Sequence, residues 1–266
     1  MSDKVTINQI RRMKKEGRKI AALTAYDLLF GLFLDEAEID LVLVGDSVGM
    51  VFSGYESTVP VTLDEIIYHS KAVRRAVKRA FLVADLPFMS YQISPEEALR
   101  SSGRLMKECG AEAVKLEGGS EYAETVRRLV AAGIPVMGHL GMMPQSVNQL
   151  GGYKIQGKDA AAAEKIVEDA KSLEQAGAFA IVLEKIPAGL AGRITRTLTI
   201  PTIGIGAGAE TDGQILVTHD MLGLFEKFQP KFVRRYANLA DSIKSAVKSY
   251  VADVKAGQFP SEEESF

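Results

Sequence analysis

The sequence predicts a (β/α)8 barrel, on three observations. Five short apolar runs each end in a polar or charged residue: LVLVGDS reaches Asp46, FLVAD ends at Asp85, AVKLE at Glu117, PVMGH at His139 and AIVLE at Glu184. Helical patterns run into Gly110, Gly133 and Gly177 just before three of these runs, where a helix end calls for left-handed backbone. Eight strand-like runs alternate with helical ones through 266 residues, with no linker or break in composition. That length suits one α/β barrel of about 250 residues. A doubly wound open sheet is the alternative, and length and strand count favour the barrel.

The elements follow in order. A short helix over 6–16 precedes the first strand and is expected to cover the barrel floor. Strands are expected at 20–24, 41–45, 81–85, 113–117, 135–139, 179–184, 202–206 and 214–218. They are apolar at nearly every position, as parallel strands under helices must be. Helices are expected at 28–38, 63–79, 95–109, 121–132, 159–176 and 188–197. Ser94-Pro95-Glu96-Glu97 offers an N-cap, a proline at N1 and a glutamate at N3. Asp159 caps an alanine-rich helix. After Met221 the repeat lapses into an amphipathic helix over 233–255 and the acidic tail PSEEESF. The whole of 1–266 reads as one barrel domain with helices at both termini. Two connections, Ser47–Thr62 and Leu140–Lys158, are long for βα loops and rich in glycine. Each follows a candidate site residue, and such loops often act as lids or substrate walls.

Composition narrows the partners. The formal net charge is −2, which gives no footprint for nucleic acid or anionic membrane. The basic stretch KAVRRAVKR over 71–79 reads as a solvated helix face. A single cysteine, Cys109, forbids an internal disulfide and fits a reducing compartment. At the end of a helix it reads as a small buried hydrophobe rather than a catalytic thiol. The chain opens without an apolar signal region, and no run approaches the ~18 apolar residues of a membrane span. The expected location is the cytoplasm.

Barrel active sites lie at the C-terminal strand ends. Asp46 and Asp85 would end neighbouring strands, and two carboxylates held that close repel unless a cation sits between them. Oxygen ligands without a Cys or His cluster suit Mg²⁺. Glu117, on the next strand, could join directly or through water. Taken singly, Asp46 reads as a turn cap and Asp85 as a residue before a loop; on consecutive strands they read as metal ligands. Lys115 points to the same side as Glu117, and a lysine inside a barrel needs an anion, either a substrate oxygen or Glu117 itself. His139 serves either as a donor to substrate or as a satisfied structural residue. Glu184, across the barrel, could be a general base or acid, or a partner for Lys185 or Arg193. His69 reads as a surface or interface residue, and His219 and Asp220 as turn residues. The IGIGAG run (Gly204, Gly206, Gly208) lacks the dinucleotide spacing and reads as a tight turn or a close approach to a flat ligand.

Five stretches carry a resemblance: GDSVGMVFSGYESTVPVTLDEIIYHSKAV, ADLPFMSY, AVKLEGG, GHLGMMPQSVNQLGGYKIQG and IGIGAGAETDGQILVTHDMLG. They closely resemble the 3-methyl-2-oxobutanoate (ketopantoate) hydroxymethyltransferases, from about residue 3 to 255. The resemblance implies a barrel of the phosphoenolpyruvate/pyruvate type. It implies transfer of a one-carbon unit from 5,10-methylenetetrahydrofolate to a 2-oxo acid, on the route to pantothenate and coenzyme A. It implies Mg²⁺ held by Asp46, Asp85 and Glu117, and keto-acid contacts from Ser47 and Lys115. Glu184 corresponds to the proton acceptor, and His139 lines the site. Large homo-oligomers, often decamers, are implied as well. A Mg²⁺-dependent lyase or mutase on the same barrel is the competing enzyme reading. Its cysteine-bearing catalytic loop has no counterpart here, since Cys109 lies in a helix. A non-catalytic assembly barrel would have lost the strand-end residues, and all are present.

Overall fold

The computed structural model describes residues 3–226 and 229–266. Two compact units divide the chain at Val217/Thr218. The first is a closed barrel of eight parallel strands, each paired with its neighbours in chain order and β8 (Gly213–Leu216) closing on β1 (Ile20–Thr24). The others are β2 (Leu41–Val44), β3 (Phe81–Asp85), β4 (Ala113–Lys115), β5 (Val136–Gly141), β6 (Ala180–Glu184) and β7 (Thr202–Ile205). The open-sheet alternative is thereby excluded.

Helices α1 (Ile7–Lys15), α2 (Leu28–Glu36), α3 (Val48–Val51), α4 (Leu63–Ala76), α5 (Pro95–Cys109), α6 (Ala123–Ala131), α7 (Val147–Leu150), α8 (Ala160–Gln175) and α9 (Ala188–Thr197) complete this unit. Their starts follow local chemistry. Thr6 and Thr62 each form a capping box, with Gln9 and Glu65, and Ser94 and Asp159 accept from the third backbone N–H of their helices. Gly110, Gly133 and Gly177 have φ of 66°, 85° and 103°, the left-handed backbone their helix ends require. The short helices α3 and α7 lie inside the two long connections, which carry too little periodicity to announce them.

Strand alternation sorts the core into two shells. Leu41, Leu43, Phe81, Val83, Ala113, Met137, Ala180, Val182 and Ile203 fill one cluster with Ile10 and Met13 of α1. Val42, Val44, Leu82, Ala84, Val114, Val136, Ile181 and Leu183 belong to the other, with Ile66, Leu105, Leu129 and Leu173 from the surrounding helices. The first shell is the barrel interior and its floor, closed by an edge-to-face contact of Phe81 and Phe179 at 5.6 Å. The second is the strand–helix layer. Residues of even and odd number on one strand therefore enter different shells.

The second unit holds α10 (Thr218–Met221) and α11 (Leu239–Lys255). The expected helix over 233–255 begins only at Leu239. Upstream, Tyr236 N–H donates to Met221 O and Leu239 N–H to Leu222 O, so these backbone groups bond away from a helix. His219 and Asp220, expected in a turn, lie instead in the short helix α10, and burial raises the Asp220 carboxyl to about 6 against the pull of Arg235. No described helix is long and apolar enough to cross a membrane.

One carboxylate ties the outer layer together. Asp35 of α2 accepts from the backbone N–H groups of Lys78, Arg79 and Ala80 at 2.8–3.0 Å. Burial opposes ionisation there, but these bonds outweigh it and hold the carboxyl below the usual range. Asp35→Ala is expected to cost about 2 kcal/mol at pH 7. A carboxyl depressed in the folded state contributes stability above its unfolded value, about 3.9, and loses it as pH falls further. The gap between wild type and variant should therefore narrow below about pH 4, as measured by urea denaturation across pH.

Candidate active site

The inward positions of the strands change character at their C-terminal ends. On β3, Phe81 and Val83 are followed by Asp85; on β4, Ala113 by Lys115 and then Glu117. On β5, Met137 is followed by His139, and on β6, Ala180 and Val182 by Glu184. Register sets Asp85 beside Lys115 and Glu184 beside Gly141. Four of the five expected strand-end residues, and Lys115, thus enter one interior layer. Asp46 joins them from the turn after β2, donating its backbone N–H to Asp85 Oδ2 at 3.2 Å.

Lys115 lies at the centre of the charges. Its Nζ donates to both oxygens of Asp85, at 2.7 and 2.9 Å, and lies 3.5 Å from Glu117 Oε1. Burial disfavours its charge, but Asp85, Glu117 and Asp46 together raise its pKa above the ordinary lysine value. Glu117 Oε1 lies 3.3 Å from His139 Nδ1, and His139 Nε2 lies 3.4 Å from Glu184 Oε2. These are ion-pair distances without hydrogen-bond alignment. Burial lowers the His139 pKa, yet Glu117 and Glu184 outweigh it and lift the imidazole to about 9. Lys115, Glu117, His139 and Glu184 therefore form a continuous alternation of cation and anion along neighbouring strands.

The carboxylates are not equally served. Glu117 is held below the usual range: burial opposes this, while Lys115, His139 and the Gln145 N–H favour the anion. Asp46 is pushed well upward, by burial first and then by the Asp85 charge beside it. Asp85 is raised too, since burial outweighs its contact with Lys115. Among the described residues, no group of three or more His, Cys, Asp and Glu side chains is set to hold a metal ion. Asp46 and Asp85 adjoin, while one oxygen of Glu117 is turned to Lys115 and His139.

Ser47 Oγ pairs with the hydroxyl of buried Tyr26 at 2.8 Å. Glu184 engages neither partner considered for it: Lys185 Nζ donates to Tyr153 O at 2.7 Å, and Arg193 pairs with Glu164. The structure corrects the surface reading of His69. It is 6% exposed, and its Nδ1 donates to Tyr26 O at 2.6 Å. Ile66, His69, Ser70 and Val73 share the buried face of α4, and helical position outweighed polarity. Cys109 is buried, with Sγ donating to Leu105 O at 2.8 Å, and burial raises its thiol pKa. In the IGIGAG run, Gly206 and Gly208 have φ of 62° and 82°, and Gln214 Nε2 donates to Gly208 O, so the run makes a tight turn.

Three residues escaped the sequence reading. Gln145 lies in the connection after β5, in the 3₁₀ turn Pro144–Ser146, and donates from Nε2 to Asp46 Oδ2. Tyr91 donates to Glu117 O and accepts from Glu117 N–H. Tyr26 orients Ser47. The long loop was legible, but no spacing marks which residue in it turns inward. Gly141 has φ of 97°, and a Cβ there would collide with Glu184 O. The two long connections also meet, where Tyr153 OH lies 3.6 Å from Met50 Sδ.

Comparison with known proteins adds the family. The family model for ketopantoate hydroxymethyltransferase matches residues 4–262. The 3-methyl-2-oxobutanoate hydroxymethyltransferase of Syntrophus aciditrophicus (strain SB) is 59% identical over 263 residues, covering 99% of this chain and 97% of that one. The like-named protein of Syntrophotalea carbinolica (strain DSM 2380 / NBRC 103641 / GraBd1) is 57% identical with both chains fully covered. Among solved structures, a phosphonopyruvate hydrolase complexed with oxalate and Mg²⁺ aligns at TM-score 0.62 and 14% identity, covering 97% of this chain and 93% of that one. A 2,3-dimethylmalate lyase of the PEP mutase/isocitrate lyase superfamily aligns at 0.61 and 16%, covering 98% and 91%. At such identity these two structures bear on the fold alone.

Removing the central cation tests the electrostatics directly. Lys115→Met leaves Asp85 buried without its partner and is expected to cost about 3–5 kcal/mol at pH 7 in EDTA. An uncompensated buried carboxyl has a raised pKa in the folded state, so its penalty grows as pH rises and shrinks toward pH 5. Urea denaturation of wild type and variant at pH 5 and pH 7 measures this.

Proposed function

The chain belongs to the ketopantoate hydroxymethyltransferase family, and from that premise we propose that it transfers a hydroxymethyl group from 5,10-methylenetetrahydrofolate to 3-methyl-2-oxobutanoate. The product would be 2-dehydropantoate, a precursor of pantothenate and coenzyme A. The observation that carries the reading is the charge series from Lys115 through Glu117 and His139 to Glu184. It offers a fixed cation for a developing oxyanion and a separate carboxylate for a proton, facing one interior.

The charge balance and the donor chemistry of these residues suit a divalent cation. Asp46, Asp85, Glu117 and Glu184 face only Lys115 and an imidazolium His139, which leaves the cluster short of two positive charges. Asp46 bears the deficit, since burial and the Asp85 charge raise its carboxyl by more than Lys115 lowers it. Asp46 and Asp85 would hold Mg²⁺, with Glu117 the third candidate, and the donors are all oxygen. When bound, the ion would supply Lewis acidity to the oxygens of the keto acid.

The chain's own groups account for the remaining steps. Ser47, oriented by Tyr26, and Lys115 would contact the keto acid, with His139 lining the same pocket. Charge developing on the 2-oxo oxygen is stabilised by the Lys115 ammonium, already placed and desolvated. Glu184, with its side chain 14% exposed, takes the C3 proton. C3 then bonds to the methylene carbon of the folate, and both C–N bonds of that carbon break. One water supplies the product hydroxyl, and its other hydrogen and the C3 proton end on the two folate nitrogens, which leave as tetrahydrofolate. The connections 47–62 and 140–158 would keep other water out. A homo-oligomer, with ten subunits the expected count, belongs to the same reading. Leu28, Leu29, Leu32 and Phe33 form an exposed apolar patch on α2 that suits association.

Deuterium exchange at C3 tests the central step. With 3-methyl-2-oxobutanoate and Mg²⁺ in D₂O, and no folate, the enzyme should exchange the C3 proton faster than an enzyme-free control. EDTA should stop exchange and excess Mg²⁺ restore it. Glu184→Gln should slow it by about 100-fold or more. Exchange at the wild-type rate in that variant would remove Glu184 from the role of base.

A further inference from the structure

Gln145 is uncharged and lies in a loop, yet it is 4% exposed and both ends of its side-chain amide and its backbone N–H are hydrogen-bonded. Nε2 donates to Asp46 Oδ2 and to Leu86 O, each at 2.9 Å. Oε1 accepts from Gln92 Nε2 at 3.2 Å and, at 3.0 Å, shares the single hydrogen of the Tyr91 hydroxyl with Glu117 O. The backbone N–H donates to Glu117 Oε2 at 3.0 Å. These partners dictate the polarity of the amide. Rotating it by half a turn would set its carbonyl against Asp46 and Leu86 O, and its N–H hydrogens against the Gln92 amide donor.

A single residue thus engages one oxygen of Asp46 and one of Glu117, two carboxylates that follow different strands. The second oxygen of Glu117 is turned to Lys115 and His139. The same residue anchors the connection 140–158, which cannot lift at this point without breaking all five bonds.

We propose that Gln145 is a positioning residue for the divalent-cation site: it fixes the orientation of the Asp46 and Glu117 carboxylates and couples cation binding to the order of the connection 140–158. The proposal rests on Asp46 and Asp85 as cation ligands. Partners that orient ligand carboxylates typically change metal affinity by about 10–100-fold when removed. Gln145→Met keeps the length of the side chain and removes its polar contacts.

The test titrates Mn²⁺ into the full chain without substrate, followed by water-proton relaxation. Tryptic cleavage at the exposed Lys154 and Lys158 is followed in parallel, with and without Mn²⁺. Wild type should bind Mn²⁺ and be protected by it at both lysines. Gln145→Met should bind about 10–100-fold more weakly and lose the protection, with Gln145→Asn between the two. Equal Mn²⁺ affinity in wild type and Gln145→Met would overturn this proposal and leave the cation site standing. Absence of Mn²⁺ binding by wild type would overturn both. Should Gln145→Met fail to fold, Tyr91→Phe removes one hydroxyl that holds Oε1 and should weaken Mn²⁺ about threefold to tenfold. Unchanged affinity in that variant would again overturn the proposal.

Discussion

Everything in the barrel unit depends on the two-residue alternation of its strands. On β4 the inward positions are Ala113, Lys115 and, just past the strand, Glu117, while Val114 and Leu116 pack against the helices. On β6 they are Ala180, Val182 and Glu184, while Ile181 and Leu183 face outward. A slip of one residue on either strand would drive carboxylates into the apolar strand–helix layer and apolar side chains into the site. The hydrophobic fit of the outer shell and the chemistry of the inner one therefore enforce the same register. Neither can drift without cost to the other, which explains how so many charges are held inside a barrel.

Those charges are arranged with opposite signs adjacent rather than one pair at a time. Asp85 and Glu117 share Lys115, Glu117 shares His139, and Glu184 meets the far nitrogen of the same ring. Each buried group thereby has at least one partner, as low-dielectric surroundings demand. Asp46 stands at the end of the series, out of direct contact with Lys115, and takes one hydrogen bond from Gln145. The imbalance lies where a divalent ion and an anionic keto acid would enter. A site that was electrically complete before binding would have less to gain from the cation.

Much of this was legible in the chain. Apolar runs ending in Asp85, Glu117, His139 and Glu184 gave the strands and their polar tips, because parallel strands leave a strong apolar signal and the inward parity continues past their ends. Caps at Ser94 and Asp159 and the glycines at 110, 133 and 177 were equally plain, since each answers a local backbone demand. The helix over 233–255 was drawn too long, because periodicity does not see the bonds that carry residues 236–239 elsewhere. His69 is buried where a surface or interface position was expected, because it shares the inward face of α4 with Ile66 and Val73. Gln145 and Tyr91 could not be read at all. Their roles arise from loops folding back onto other strands, and no local pattern encodes that return. The family match spans the chain from 4 to 262.

Gly141 contributes no functional group, yet it adjoins Glu184 so closely that any side chain would strike the Glu184 carbonyl. Every single-base change that alters a glycine codon's meaning either adds a Cβ or ends translation. A position with no chemistry of its own is thus under the same mutational constraint as the carboxylate beside it, and the lineage of this chain has no neutral neighbour to explore there.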